Sequence, residues 1–250
     1  MVLPQKRLEE RTRAILSTCV LFRGLPAEAC HELASRASVR TCRARDAIFL
    51  MGTRGSSLFA LLAGKVRISV SSPDGKEITL ATLQPGEIFG EIAVLDGRER
   101  TANATAITEC QLAELERQDV LHFFDCHPSA WHSLVDMLCD RLRRTDQHLG
   151  ELALLPLPVR LSITMLRMAE IKQVDGRPVK LVQLSQREIG NLVGASRESI
   201  NKLLHEWQSQ NMIQVQDHAI NITRVDLLER ISEGLAVKAP TKRATQLPRR

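Results

Sequence analysis

Residues 89–104 read F-G-E-I-A-V-L-D-G-R-E-R-T-A-N-A, and their chemistry decides how the rest of the chain is read. Gly90 permits a tight turn where a strand ends. The residues after it can form one helical turn whose free N–H groups attract an anion. Arg100, ten residues on, supplies a planar fork suited to two phosphate oxygens. Thr101 adds a hydroxyl donor beside it. Glu91 cannot face a phosphate, because like charges repel, but a carboxylate accepts well from a sugar hydroxyl. An acid for a ribose and an arginine for a phosphate describe a pocket for a nucleotide with one compact anionic group. Gly90, Glu91, Ile92, Arg100 and Thr101 are the candidate ligand-binding residues of this stretch.

The flanking sequence is β-like. From about Ala47 to Leu115, Val66, Ile68 and Val70 alternate with Lys65, Arg67 and Ser69, the period of a half-buried strand. Ser72-Pro73-Asp74-Gly75 is a tight-turn sequence before a second alternating run at Ile78 and Leu80. Glycines at 52, 55, 64, 75, 86, 90 and 97 punctuate short strands at the spacing of a sandwich or barrel. This predicts a small antiparallel β-barrel. Before it, residues 5–20 read as a lead-in helix, and Leu25-Pro26-Ala27-Glu28 opens another short one.

After the barrel, Pro128 suits a helix start. Trp131, Val135, Leu138, Leu142, Thr145, Leu149 and Leu152 then step by four and three. That is a coiled-coil seam of about three heptads, and so long an apolar seam needs a partner helix. Thr145 favours a second protomer, since a hydroxyl inside an apolar seam needs something polar to meet it. Pro156 and Pro158 end the helix. Residues 159–170 read as a further helix, and Val174 to Lys180 as a turn-rich connector.

Leu184 to Trp207 reads L-S-Q-R-E-I-G-N-L-V-G-A-S-R-E-S-I-N-K-L-L-H-E-W. Ser185 with Glu188 is a capping box that starts a helix. Gly194 ends it after two turns, and Ser196 caps the next. On that second helix Ile200, Leu203, Leu204 and Trp207 form one apolar face, while Glu198, Asn201, Lys202 and His205 project opposite, with Arg197 at the N-terminal flank. Two short helices about a glycine turn, the second polar outward, match the motif that enters the DNA major groove. Ser185, Gln186, Ser196, Arg197, Glu198, Asn201 and Lys202 are the candidate DNA-binding residues. Met212 to Ile222 reads as a β-hairpin wing around Asp217-His218.

With these motifs in view, F-G-E…R-T-A resembles the phosphate-binding cassette of cyclic-nucleotide-binding domains. The second motif, with its recognition helix starting S-R-E, resembles the cyclic AMP receptor protein/fumarate-nitrate regulator (Crp/Fnr) family of transcription regulators. The resemblance covers about residues 20–230. It implies an α+β fold: an N-terminal antiparallel β-barrel of jelly-roll type, a long dimerisation helix and a C-terminal winged helix-turn-helix. The domains are then an N-terminal helical arm over 1–20, the nucleotide-binding domain over 21–127, the dimerisation helix over 128–155, the DNA-binding domain over 156–235, and a basic tail over 236–250. It implies that Gly90 and Glu91 hold the ribose side and that Arg100 and Thr101 hold a cyclic phosphate. It also places the base against the long helix at Thr145 and Asp146. A threonine suits the amino group of adenine and a carboxylate the N–H edge of guanine, so cyclic AMP is expected, with cyclic GMP or dual binding as the alternative. Arg197 is implied as the reader of guanine and Glu198 as the acceptor from cytosine, pairings that groove chemistry also favours. Asn201 and Lys202 replace a Gly and an Arg of the best-known member, so half-sites are TGTGA-like without being identical. The loop between Glu91 and Arg100 is one residue shorter than in that member. The implied partners are palindromic double-stranded DNA, RNA polymerase and a second copy of the chain, and the implied action is activation.

Composition agrees with a regulator and narrows the rivals. No window nears the twenty or so apolar residues of a bilayer span, and the first residues are charged, so no membrane partner and a cytoplasmic location are expected. The net charge of +5 equals the charge of Lys238, Lys242, Arg243, Arg249 and Arg250, so it says little about the folded part. Six cysteines, Cys19, Cys30, Cys42, Cys110, Cys126 and Cys139, lack any C-x-x-C pair and read as reduced thiols. An iron–sulfur oxygen or redox sensor of the same fold needs clustered cysteines near the N-terminus. A ligand-independent regulator is the other alternative of that fold. A phosphodiesterase needs paired metal-ligating His/Asp motifs, and His127 and His132 beside Cys126 do not supply them. The chain is therefore read as no enzyme, without metal or resident cofactor, the nucleotide being an allosteric ligand.

Overall fold

The computed structural model describes residues 27–174, 177–216 and 219–234. The expected lead-in helix over 5–20, the Asp217-His218 tip and the basic tail lie outside the described residues. The chain divides into two compact units between Gln147 and His148, and each is described on its own.

The first unit opens with α1 (Ala27–Arg36). Eight strands follow: β1 (Ser38–Cys42), β2 (Ala47–Phe49), β3 (Ser57–Ala63), β4 (Val66–Ser71), β5 (Glu77–Leu83), β6 (Ile88–Phe89), β7 (Asn103–Ala106) and β8 (Cys110–Glu116). They form two four-stranded sheets, ordered β1-β8-β3-β6 and β2-β7-β4-β5, in which every pairing is antiparallel. The expected barrel is present and starts earlier than the sequence pattern suggested, at Ser38. A short helix, α2 (Glu91–Asp96), interrupts the strands, and α3 (Arg117–Cys126) leads to α4 (Ser129–Leu154).

The burial pattern explains the layering. Ile48, Phe59, Leu61, Val66, Leu83, Phe89 and Leu112 pack between the sheets. Leu58, Ala60, Leu62, Ala113 and Leu115 face the other way, onto α1, α3 and the start of α4 through Leu33, Phe124 and Leu134. β3 is thus apolar on both faces, which is why Leu58 to Leu62 is an unbroken apolar run without alternation.

The helix α4 buries Ala130, Leu134 and Met137. Trp131, Val135, Leu142, Leu149 and Leu154 stay exposed, Leu142 by 61% and Leu149 by 63%. The expected four-three stripe is therefore uncovered at Trp131, Val135, Leu142 and Leu149, while Leu138 packs against the barrel core and Leu152 is half-buried. Thr145, however, needs no outside polar partner: its Oγ1 donates to the Arg141 carbonyl at 2.9 Å, one turn back.

The second unit includes the last residues of α4, then α5 (Leu157–Met168), β9 (Glu170–Val174), β10 (Arg177–Val182), α6 (Gln186–Val193), α7 (Arg197–Ser209), β11 (Ile213–Gln216), β12 (Ala219–Ile222) and α8 (Val225–Ser232). The four strands form one sheet, β11-β12-β10-β9, and the hairpin expected after the helix pair is β11–β12. The connector expected over Val174 to Lys180 is instead part of a second hairpin, with Val174 opposite Arg177 and Ile171 opposite Lys180. Proline lacks the N–H that a strand ladder needs, so Pro178 calls for a physical account. It is tolerated because β12 pairs with β10 only over Lys180–Val182, leaving Pro178 a neighbour on one side alone. Pro156 and Pro158 prove to be start signals as well as stop signals, since Pro156 precedes α5 and Pro158 lies in its first turn. The exposed carbonyls at the end of α4 are met by Arg160, whose Nη1 donates to Leu152 O at 2.8 Å. Among the described residues no helix is long and apolar enough to cross a membrane.

Candidate functional site

In the first unit a cavity of about 370 Å³ opens between the sheets and α4. Phe49, Ile68, Leu83 and Phe89 wall it on the barrel side, and Leu138 and Leu142 on the helix side. The polar groups that reach it include Glu91, Arg100, Thr101, Arg141, Arg144 and Thr145. Of the residues expected to hold a ligand, Gly90, Glu91, Ile92, Arg100, Thr101 and Thr145 line this one cavity, and Asp146 does not. One residue is about 100° of helix rotation, which carries Asp146 away from the cavity to an exposed position.

Gly90 is required twice over. Its φ of 82° is left-handed, and a Cβ there would stand 2.6 Å from Arg100 Nη1 and 3.3 Å from Ser57 O. That closeness reflects how Arg100 is held. Its side chain enters the protein, leaving the residue 6% exposed. Nη1 donates to Gly90 O and Nη2 to Ser57 O, both at 2.7 Å. The Phe49 ring lies 4.2 Å from the guanidinium carbon, a cation–π contact. Nε is buried without a hydrogen bond. No carboxylate forms an ion pair with Arg100 among the described residues. Burial pulls its pKa below the ordinary arginine value, and the charges of Glu91 and Glu114 oppose that pull. Arginine nevertheless stays protonated in proteins. The cavity therefore contains a desolvated cation held only by neutral groups, an environment that favours an incoming anion.

Glu91 is buried too, but it has a partner. Oε1 accepts from Arg141 Nη1 at 2.6 Å, and Arg141 Nη2 donates to Ile88 O at 2.6 Å. Arg141 thus bridges α4 to the end of β6 and fixes where the carboxylate points.

The second unit carries the helix pair. Ser185 Oγ accepts from Glu188 N at 3.2 Å while Glu188 Oε2 accepts from Ser185 N at 2.8 Å, completing the capping box. Gly194 ends α6 at φ 65°, and Ser196 Oγ accepts from Ser199 N to cap α7. Ile200, Leu203, Leu204 and Trp207 are buried; Arg197, Glu198 and Lys202 are exposed. Asn201 is half-buried and accepts from Gln186 Nε2 at 3.0 Å, tying the two helices across their polar side. Arg187 joins Gln186 and Arg197 around a groove of about 400 Å³ beside the β11–β12 hairpin.

Residues 39–127 match the cyclic nucleotide-binding domain family, and residues 159–231 match the Crp-like helix-turn-helix domain. A CRP-like cAMP-activated global transcriptional regulator of Mycobacterium tuberculosis is 30% identical over 218 residues, which span 86% of this chain and 97% of that protein. The cyclic AMP receptor protein of Thermus thermophilus is 33% identical over 216 residues, 86% of this chain and 98% of that one. This chain belongs to the Crp/Fnr family. Like its relatives it is a DNA-binding transcription regulator with a cyclic-nucleotide-binding domain. Among solved structures, the catabolite activator protein of Thermus thermophilus is 32% identical with a TM-score of 0.50, covering 87% of this chain and all of that one (100%). The c-di-GMP-responsive global regulator CLP of Xanthomonas campestris superposes with a TM-score of 0.72 at 21% identity, over 79% of this chain and 99% of its own, a likeness of fold.

For this Crp/Fnr-family chain, sequence reasoning missed Phe49, Arg141 and Arg144. Arg141 had a usable signal: it lies three residues after Leu138 and four before Thr145, on one face of the predicted helix. Phe49 and Arg144 had none, because nothing local distinguishes them from core and surface residues.

Proposed function

We propose that this Crp/Fnr-family regulator is a cytoplasmic homodimer whose binding to palindromic double-stranded DNA is set by a cyclic mononucleotide, cyclic AMP ahead of cyclic GMP. The observation that carries the reading is the buried guanidinium of Arg100, without an ion-pair partner among the described residues, in one cavity with the oriented carboxylate of Glu91. The cyclic phosphate takes Arg100, with Thr101 beside it; the ribose hydroxyl donates to Glu91, with Gly90 and Ile92 forming the turn around it. Thr145 has its proton committed to the Arg141 carbonyl, so it offers lone pairs to the cavity. That suits the amino group of adenine. The guanine reading rested on Asp146, which stands off this cavity on the stripe that also holds Leu142 and Leu149. A ligand role for Asp146 would require the cavity of a second protomer. The relatives named for cyclic AMP point the same way.

The uncovered stripe of α4 supports the homodimer, because exposed leucines in regular four-three steps are what a second helix buries. A symmetric pair presents its recognition helices about one DNA turn apart, roughly 34–36 Å. In each half-site Arg197 reads guanine, Glu198 accepts from cytosine, Asn201 and Lys202 reach adjoining positions, and Ser185, Gln186 and Ser196 contact phosphates from the helix starts. Ligand binding need contribute only about 1–3 kcal/mol of coupling to shift such a two-state element. Activation through RNA polymerase follows the family.

Calorimetric titration of both nucleotides tests the reading. Cyclic AMP should bind more tightly than cyclic GMP, and Arg100→Ala should lose both. Undiminished affinity in that variant would contradict the pocket assignment.

A further inference from the structure

Strands β1 and β8 run antiparallel with Cys42 directly opposite Cys110. Opposed residues of an antiparallel pair project to the same face, with Cα atoms about 4.5 or 5.5 Å apart depending on their place in the ladder. A disulfide spans Cα separations of about 4.4–6.8 Å, so the backbone spacing of either place lies within the range of one. Both thiols are free and buried, and both belong to the apolar cluster between the two sheets. Neither lines the nucleotide cavity.

The two sites differ in chemistry. Cys110 Sγ lies 3.3 Å from both Lys65 O and Thr108 O, where the β3–β4 and β7–β8 turns close that end of the barrel. The packing there is tight: a Cβ on Gly64 would come within 2.7 Å of the same sulfur. Cys42 ends the edge strand β1, followed by the exposed turn residues Arg43 and Ala44. Burial pushes its thiol pKa up, while the guanidinium of Arg40 beside it favours the thiolate.

We propose that Cys42 and Cys110 form a latent disulfide, an oxidation site that staples the edge strand β1 to β8 and stiffens the nucleotide-binding barrel. The oxidant is a peroxide. The Cys42 thiolate attacks one peroxide oxygen and the O–O bond breaks, leaving a sulfenic acid on Cys42 and a hydroxide that takes up the thiol proton as water. The Cys110 sulfur then attacks the Cys42 sulfur; the S–S bond forms, the S–O bond breaks, and the hydroxyl leaves with the Cys110 proton as a second water. Two thiols and one hydrogen peroxide give one disulfide and two waters.

The test uses the full chain carrying Cys126→Ser and Cys139→Ser, which removes the two thiols exposed among the described residues. The folded protein is treated with hydrogen peroxide, alkylated in denaturant and digested for mass spectrometry. The expected product is a Cys42–Cys110 linked peptide, two hydrogens lighter than its reduced parts, reversed by dithiothreitol. Thermal melting of the oxidised protein should rise on the order of 5–10 °C, as expected for a long-loop disulfide in a chain of this size. Adding Cys42→Ser should abolish both the linked peptide and the rise. A second sample, refolded from urea with oxidised glutathione, tests the geometry apart from access. A linked peptide in the peroxide-treated folded protein supports the proposal. Its absence there overturns the proposal as a site in the native protein, and its absence from the refolded sample also refutes the geometry.

Discussion

Arg100 and Glu91 are both nearly inaccessible to water, yet they are satisfied in opposite ways. The acid has an arginine at 2.6 Å; the arginine has two carbonyls and a ring. Only the cation retains an unmet demand for opposite charge. Arg141 then acts through Glu91, and removing it tests that role. Arg141→Met keeps the stem but leaves the buried carboxylate of Glu91 without the ion-pair partner that fixes where it points. Cyclic AMP affinity should fall on the order of 10-fold, about 1.4 kcal/mol. Wild-type affinity in calorimetry would remove Arg141 from the site. In the second unit Arg197 is exposed beside the capped start of α7. Arg197→Ala should cost about 1–3 kcal/mol at a cognate operator and relax the preference for guanine at its position. Fluorescence anisotropy on cognate and substituted duplexes measures both effects.

Helix α4 does two jobs with different faces. Ala130, Leu134 and Met137 anchor its first half to the barrel, Leu138, Arg141, Leu142 and Thr145 line the cavity, and Val135 and Leu149 remain uncovered away from it. Leu149 lies clear of the cavity, so Leu149→Glu isolates the free face. Sedimentation should show a dimer for the wild type and a monomer for the variant, with operator affinity much reduced and nucleotide binding retained. A dimer that persists in this variant would assign the stripe another role. The recognition element is held as closely by its caps. Ser196→Ala removes the hydroxyl that accepts from Ser199 N, and this should cost about 1 kcal/mol of stability, read by urea denaturation.

At the scale of the whole chain, the two compact units hold separate apolar cores, two clusters before the Gln147–His148 division and one after it. A ligand bound within the first unit stabilises the native state by mass action, by about 2.7 kcal/mol at one hundred times its dissociation constant. Saturating cyclic AMP should therefore raise the melting of the nucleotide-binding unit by several degrees. Differential scanning calorimetry with Arg100→Ala as control should show no such rise; an equal rise in the variant would place the nucleotide elsewhere.

The groups proposed to hold phosphate and ribose are legible in the amino-acid sequence alone, because Gly90, Glu91, Arg100 and Thr101 lie in one short stretch whose turn geometry and charge order are local properties. The capped helix pair at Ser185 and Ser196 is legible for the same reason, its start and stop chemistry being written within a few residues of each helix end. Long-range pairing is not. That Arg141 orients Glu91, that Phe49 covers Arg100, that Asp146 stands off the cavity and that Cys42 meets Cys110 depend on which residues distant along the chain become neighbours. Helix rotation and strand register settle those meetings, and folding imposes them through burial of the whole apolar surface rather than through any local preference.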